Sequence, residues 1–278
     1  MKYIFDMVSG KASRMTTQSY STSFSLGIRV FHKKFHAPIY AIYGFVRFAD
    51  EIVDSFEGYD KQKLLAKFKA DTFEAISEGI SLNPIINSFQ WAVNKYNIDH
   101  ELIHLFLNSM EMDLNRTQHT DETFKQYILG SAEVVGLMCL RVFTEGNAQQ
   151  YEQLKPSAMA LGSAFQKVNF LRDLKADNSF LGRSYFPGLD LTSLDEATKQ
   201  HIIADIEIDF AHAYEGIKKL PRGARFGVYV AYVYYLSLLR KIKRTGAAKI
   251  LSERIRIPDS EKYSLLLRSA LKHAFNML

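Results

Sequence analysis

The segment Tyr40-Ala-Ile-Tyr43-Gly-Phe-Val-Arg47-Phe-Ala-Asp50-Glu51-Ile-Val-Asp54 decides the fold because it carries two patterns at once. Tyr43, Arg47, Asp50 and Asp54 step by 4, 3 and 4 positions, the spacing that places side chains on one face of an α-helix. Ile42, Phe45, Val46 and Phe48 occupy the flanks of that face. A polar stripe bounded by apolar residues is expected to look into a cavity rather than into water. Further along, Gln166, Asn169, Asp173 and Asp177 step by 3, 4 and 4, flanked by Phe165, Val168, Phe170 and Leu171. Two such stripes facing each other form a place where Mg²⁺ and a diphosphate fit between them.

Spacing alone is weak. With 30 acids in 278 residues, chance supplies roughly three acidic i, i+4 pairs, so the pattern only generates a hypothesis. The other two pairs, Glu74/Glu78 and Asp205/Asp209, read as solvated helix faces. Asp50/Asp54 and Asp173/Asp177 differ in having apolar surroundings with arginine and amide groups one and two turns away.

The rest of the chain supports a helical protein. Six prolines and 15 glycines leave long uninterrupted segments, and 47% hydrophobic with 23% charged residues is ordinary for a globular chain. Helical periodicity recurs over about 21–29, 38–56, 61–79, 84–96, 99–114, 122–143, 156–177, 193–219, 222–245 and 259–275. Pro38, Pro84 and Pro156 fall near starts, and Gly79, Asn97 and Gly246 near stops. No stretch alternates cleanly enough to demand a strand, and no linker or low-complexity tract divides residues 1–278. The expectation is one all-α domain, a bundle of roughly ten helices around a central cavity.

Composition also excludes classes. The single Cys139 rules out an intramolecular disulfide and a Cys-rich zinc site, and with no secretory signal near the N-terminus the expected location is cytoplasmic. The longest apolar run, from Phe226 to Leu239, is too short to span a bilayer and reads as a core helix. The net charge of +5 suits an anionic substrate or membrane surface; without any nucleic-acid signature, no nucleic-acid partner is expected. His32/His36 and His100/His104 have metal-like spacing but lack an acid in the zincin pattern, and read as surface histidines. There is neither a Gly-x-Gly-x-x-Gly nor a P-loop.

A series of segments in order resembles the phytoene and squalene synthase family, the head-to-head trans-isoprenyl diphosphate synthases. They are Ser21-Thr-Ser23-Phe24, Tyr40 to Asp54, Met110-Glu-Met-Asp113-Leu114, Tyr127 with Gly130 and Val134-Val-Gly136, Gln166 to Asp177, and Gly182-Arg183-Ser-Tyr185-Phe-Pro187. Glu51 departs from the pattern, which usually has a second Asp there, but it keeps the carboxylate. The resemblance implies an isoprenoid-synthase helical bundle and a prenyltransferase that joins two prenyl diphosphates through a cyclopropyl diphosphate intermediate. By the same resemblance Asp50, Asp54, Asp173, Asp177 and Tyr127 are the catalytic residues. Asp50, Glu51, Asp54, Asn169, Asp173 and Asp177 form the metal set, for Mg²⁺ or alternatively Mn²⁺. Ser21, Ser23, Tyr43, Arg47, Gln166, Asn169, Arg172, Arg183 and Tyr185 line the substrate. Asp113 is compatible with a site residue or with a buried ion-pair partner.

The segments look most like bacterial carotenoid-pathway members, so the expected reaction turns geranylgeranyl diphosphate into phytoene without NAD(P)H. Squalene or dehydrosqualene synthesis from farnesyl diphosphate is the alternative. Hydrolase or lyase chemistry on one prenyl diphosphate and a non-catalytic assembly protein of the same fold are remoter ones. Such apolar substrates and products also suggest peripheral contact with the inner face of the cell membrane, through the basic stretch from Arg240 to Arg256.

Overall fold

A computed structural model describes residues 1–115, 118–176, 185–188 and 194–274. Among the described residues the chain is all-α, with no strand. The helices are α1 (Lys2–Tyr20), α2 (Thr22–Arg29), α3 (His36–Asp54), α4 (Lys61–Glu78), α5 (Pro84–Tyr96), α6 (His100–Asn115) and α7 (Asp121–Ile128). They continue with α8 (Val134–Thr144), α9 (Ala148–Ala176), α10 (Glu196–Lys219), α11 (Arg222–Arg244), α12 (Ala247–Ser252) and α13 (Asp259–Ala274). A 3₁₀ turn precedes α3 at Lys33–Phe35, and a π turn at Leu129–Glu133 joins α7 to α8.

The helix ends follow local chemistry. Asn83 caps α5 by accepting from the backbone N–H groups of Ile85 and Ile86, with Pro84 in the first turn where its missing N–H costs nothing. Gly79 and Asn97 end α4 and α5 in the left-handed conformation, at φ of 71° and 49°.

Pro156 is a correction: it lies inside α9, which starts eight residues earlier at Ala148. Asn147 supplies the start by accepting from the Gln150 N–H at 2.9 Å. Tyr151 and Leu154, both buried, anchor the turns before the proline. That packing outweighs the hydrogen bond that Pro156 removes. The sequence also gave no warning of α1, whose buried residues are Ser9, Ser13, Thr16 and Thr17, so its inward face has no apolar stripe to recognise.

Two apolar clusters organise the bundle. The first gathers α3 to α6, α8 and the start of α9, and includes Phe45, whose ring stacks on Phe89 with centroids 3.8 Å apart. The second gathers α7, the later part of α9, and α10 to α12. Ala49, Ile52 and Val53 tie the Asp50 helix to the first cluster, while Phe170, Leu171 and Leu174 tie the Asp173 helix to the second. The two stripes therefore belong to different apolar bodies, with α8 packing on both α3 and α9. The stretch Asp121–Thr144 is long and apolar enough to cross a bilayer, but more than half of its most apolar window is buried inside the protein, so it is a core element.

Glycine sets the close approach around the π turn. A Cβ on Gly130 would lie 2.6 Å from the Leu105 carbonyl oxygen, and one on Gly162 would lie 2.8 Å from the Ala132 carbonyl oxygen and 2.9 Å from the Glu133 Cα. These neighbours are backbone and cannot rotate aside. Gly162→Val is therefore expected to cost about 1–3 kcal/mol or more of stability through overpacking. Gly10→Ala, on an open helix surface with nothing within 4 Å, should instead stabilise by about 0.5–1 kcal/mol. Urea denaturation of both variants checks the contrast, and equal midpoints would contradict it.

Candidate functional site

The α3 stripe is held by its own arginine. Arg47 donates from Nη1 to the Asp50 carboxylate at 2.5 Å and from Nη2 to Glu51, while its guanidinium lies 4.4 Å from the centre of the Tyr20 ring. Tyr43, one turn earlier, lies near the Ser21 hydroxyl and packs on Phe24 with ring centroids 4.8 Å apart. Ser21 also caps α2, accepting from the Phe24 N–H at 3.1 Å. Asp50 keeps 35% of its side-chain surface open. Even so, burial pushes its carboxyl up to about 7, and the negative charge of Asp54, Asp113 and Glu51 adds to the rise against the pull of Arg47.

The α9 stripe is braced from α11 and from the segment after α12. Arg172 donates from Nη2 to Asp173 at 2.5 Å, and Arg254 donates from Nε to the same carboxylate at 2.7 Å. Tyr235 donates to Asn169 at 3.2 Å, Asn169 donates to Gln166 at 3.4 Å, and Gln166 donates to Ser131 of the π turn at 3.3 Å. The Tyr235 ring stacks on Phe165 with centroids 4.0 Å apart. Tyr43 on α3 and Tyr235 on α11 lie within electrostatic reach of each other. Since Tyr235 also interacts with Arg172, Asp173 and Asn169, the two stripes share one neighbourhood.

Asp113 adds a third wall. This buried residue of α6 accepts from the Tyr127 hydroxyl at 2.7 Å and from the Tyr185 hydroxyl at 3.3 Å, and it interacts electrostatically with Asp50. His119 packs on both tyrosines, at centroid distances of 5.1 and 5.6 Å. Burial, with the Asp113 carboxylate beside it, holds the Tyr127 phenol well above its ordinary value. At neutral pH Tyr127 is thus a hydrogen-bond donor and not a base. Tyr185 stacks on Phe170 at 4.1 Å, and Phe186 and Phe124 continue the aromatic wall.

Asp177 and Arg183 lie outside the described residues, as does the side chain of Ser23. The remaining expected site residues gather around these three walls. Sequence reasoning missed Arg254 and Tyr235: the first sits in a basic stretch read as a surface, the second in an apolar run read as core. It also misread one member of the Asp205/Asp209 pair. Lys167 bonds both carboxylates, at 2.5 and 2.9 Å, and Asp209 accepts from Ser163 at 2.7 Å, so Asp209, 21% exposed, closes the joint between α9 and α10, while Asp205, 59% exposed, keeps the solvated face expected of it. The histidines serve structure: His36 bonds the Phe31 carbonyl at 2.9 Å and His104 stacks on Phe73 at 4.1 Å.

Among the described residues no three His, Cys, Asp or Glu side chains converge as a ready metal centre. The donors present still suit a hard divalent cation. They are carboxylate oxygens, and Asp54, Asp113 and Glu51 all place negative charge near Asp50 against the single pull of Arg47. Mg²⁺ is commonly held by one or two carboxylates together with substrate phosphates, not by an all-protein cage.

Comparison with known proteins adds an independent observation. The family model described as squalene/phytoene synthase matches residues 17–261. A phytoene synthase of Arthrospira platensis is 25% identical over 93% of this chain and 91% of its own length. A presqualene diphosphate synthase of Rhodopseudomonas palustris is 24% identical over 90% of this chain and 93% of its own length. The fold is similar to a crystal structure of a dehydrosqualene synthase, with a TM-score of 0.83, 18% identity and coverage of 98% of each chain.

Two expectations follow from the geometry. Tyr127→Phe removes a hydrogen bond to a buried carboxylate and should cost about 1.5–3 kcal/mol in chemical denaturation; an unchanged midpoint would contradict the Asp113 hub. Burial, reinforced by Asp209 against Lys167, pushes Glu133 up to about 7. A carboxyl raised in the folded state contributes stability that is present below its unfolded value of 4.5 and is lost as pH rises through about 7. Glu133→Gln should therefore stabilise the protein at pH 8 relative to pH 4, by an amount on the order of 2 kcal/mol. Thermal unfolding at the two pH values checks the sign, and a gain confined to pH 4 would contradict it.

Proposed function

The chain belongs to the squalene/phytoene synthase family, whose members act on prenyl diphosphates, and from that premise we propose that it joins two geranylgeranyl diphosphates head to head to give phytoene. The observation that supports this reading most is the meeting of the Asp50 and Asp173 stripes around Tyr43 and Tyr235, with an arginine on each.

The reaction begins when an allylic C–O bond breaks and diphosphate leaves. Asp50, Glu51, Asp54, Asn169, Asp173 and Asp177 are the residues we assign to Mg²⁺, with Mn²⁺ as a substitute. Held by these residues, such a cation would supply charge neutralisation for the leaving diphosphate. We assign Arg47, Arg172 and Arg254, which pair with Asp50 and Asp173, to the phosphate oxygens, which a planar guanidinium can bind in pairs. Ser21, Tyr43 and Gln166 supply further polar contacts at this end, and we assign Ser23 and Arg183 to it as well.

The resulting carbocation must be kept from water. The rings of Tyr127, Phe170, Tyr185 and Phe186 form a wall with no charge of its own beside Asp113. Such faces exclude solvent and stabilise a passing cation by roughly 0.5–2 kcal/mol each. The allylic cation is attacked by the alkene of the second prenyl diphosphate, and loss of a proton closes the cyclopropyl diphosphate. Its own C–O bond then breaks, the second diphosphate leaves, the ring opens with rearrangement, and loss of a second proton forms the central double bond without a reductant.

The similar presqualene diphosphate synthase supports a second reading, in which farnesyl diphosphate is the substrate. Incubation with each diphosphate and Mg²⁺, with and without NADPH, separates them. Phytoene from the C20 substrate without NADPH is expected; squalene formed only with NADPH would overturn the proposal. Asp50→Ala and Asp173→Ala should each lower turnover at least about a hundredfold, as loss of a single charge-stabilising group in an active site does, with circular dichroism unchanged. Normal turnover in either variant would overturn the ligand assignment.

A further inference from the structure

Helix α1 is built inside out. The residues it buries against α3 and α5 are the hydroxyls Ser9, Ser13, Thr16 and Thr17. Small side chains there let the helices approach closely: Ser13 Oγ lies 3.1 Å from where a Cβ on Gly44 of α3 would sit. The apolar residues point the other way. Ile4, Met7, Val8 and Met15, spaced for one helix face, are all exposed, Met15 at 66%, and Tyr3 at their edge is 72% exposed. A helix surrounded by water gains stability from the opposite arrangement.

Neighbouring elements extend this face. A groove of about 450 Å³ between α1, α3 and α5 is lined by Met7, Lys11, Arg14 and Trp91. Trp91 is 38% exposed with the Lys95 ammonium 5.0 Å from its ring, and Leu82, just before α5, is 91% exposed. Lys11 and Arg14 rise from the same side of α1 as the apolar residues. Exposed aliphatic and aromatic side chains interspersed with cations match the boundary of a bilayer rich in anionic lipid. At its far end α1 places Tyr20, on its inward side, over Arg47, so the helix itself reaches the acid-lined site.

We propose that α1, with Leu82 and Trp91, is a docking face that seats this protein on an anionic lipid bilayer. The basic stretch after Arg240 serves this purpose less well, because it presents few exposed apolar side chains and several of its cations are engaged within the protein. Lys241 donates to the Arg256 carbonyl at 2.6 Å, Lys243 to Glu207 at 2.7 Å, and Arg254 to Asp173. A bilayer is preferred to a second copy of the chain because the face carries Lys11, Arg14 and Lys95 against Asp6, which Lys2 already pairs, so two copies would repel each other whereas anionic headgroups complement the face. The proposal is independent of which prenyl diphosphate the site takes.

Co-sedimentation of the full chain with vesicles tests it. The protein should pellet with phosphatidylcholine vesicles containing phosphatidylglycerol and much less with phosphatidylcholine alone. Lys11→Ala and Arg14→Ala should each weaken binding about fivefold. The double variant Met7→Glu/Val8→Glu should reduce it at least tenfold, with helix content unchanged because both positions are exposed, whereas Lys243→Glu/Arg244→Glu should bind like the parent. Binding unaffected by Met7→Glu/Val8→Glu, or lost instead in Lys243→Glu/Arg244→Glu, overturns the assignment. So does absence of vesicle binding, including the case in which sedimentation velocity shows a dimer that Met7→Glu/Val8→Glu dissociates.

Discussion

Asp50 sits where negative charge is hardest to hold. Burial and three neighbouring acids act on one carboxyl, and Arg47 alone on α3 answers them. A fold selected only for stability would replace such a cluster with apolar residues. Here the cluster lies where two hydrophobic bodies meet, and the rest of the architecture maintains it. Phe45 and Phe89 fasten α3 from behind, Asp113 approaches from α6, and the Asp173 helix is held by the second core.

Arginines make this arrangement tolerable without a ligand. Arg47 closes on Asp50 and Glu51, and Arg172 and Arg254 close on Asp173. Each guanidinium thus holds a carboxylate in a charge-assisted contact. Behind them the polar chain from Tyr235 through Asn169 and Gln166 to Ser131 connects the site to the π turn, which Gly130 and Gly162 allow to pack closely between α6 and α9.

Much of this was legible in the sequence. The all-α class, the ends of α4 and α5, and the two polar stripes follow from spacing and punctuation, and the family resemblance is borne out by the match over residues 17–261. What stayed hidden has identifiable causes. Arg254 and Tyr235 reach the site from distant elements, and no local pattern encodes a long-range meeting. Helix α1 escaped because its apolar residues face outward, reversing the signal by which helices are recognised. Pro156 misled because a proline usually ends or begins a helix, yet Tyr151 and Leu154 pack strongly enough to carry α9 through it. Asp209 looked like a solvated acid because its partners Lys167 and Ser163 lie on another helix, whereas its neighbour Asp205 is indeed exposed.

The account stands on the two aspartate stripes acting together through a divalent cation. Calorimetric titration of the protein with inorganic pyrophosphate, with and without Mg²⁺, addresses that directly. Binding should require Mg²⁺ and should be lost in both Asp50→Asn and Asp173→Asn. Binding of equal strength without the metal, or retained in full by either variant, would contradict it.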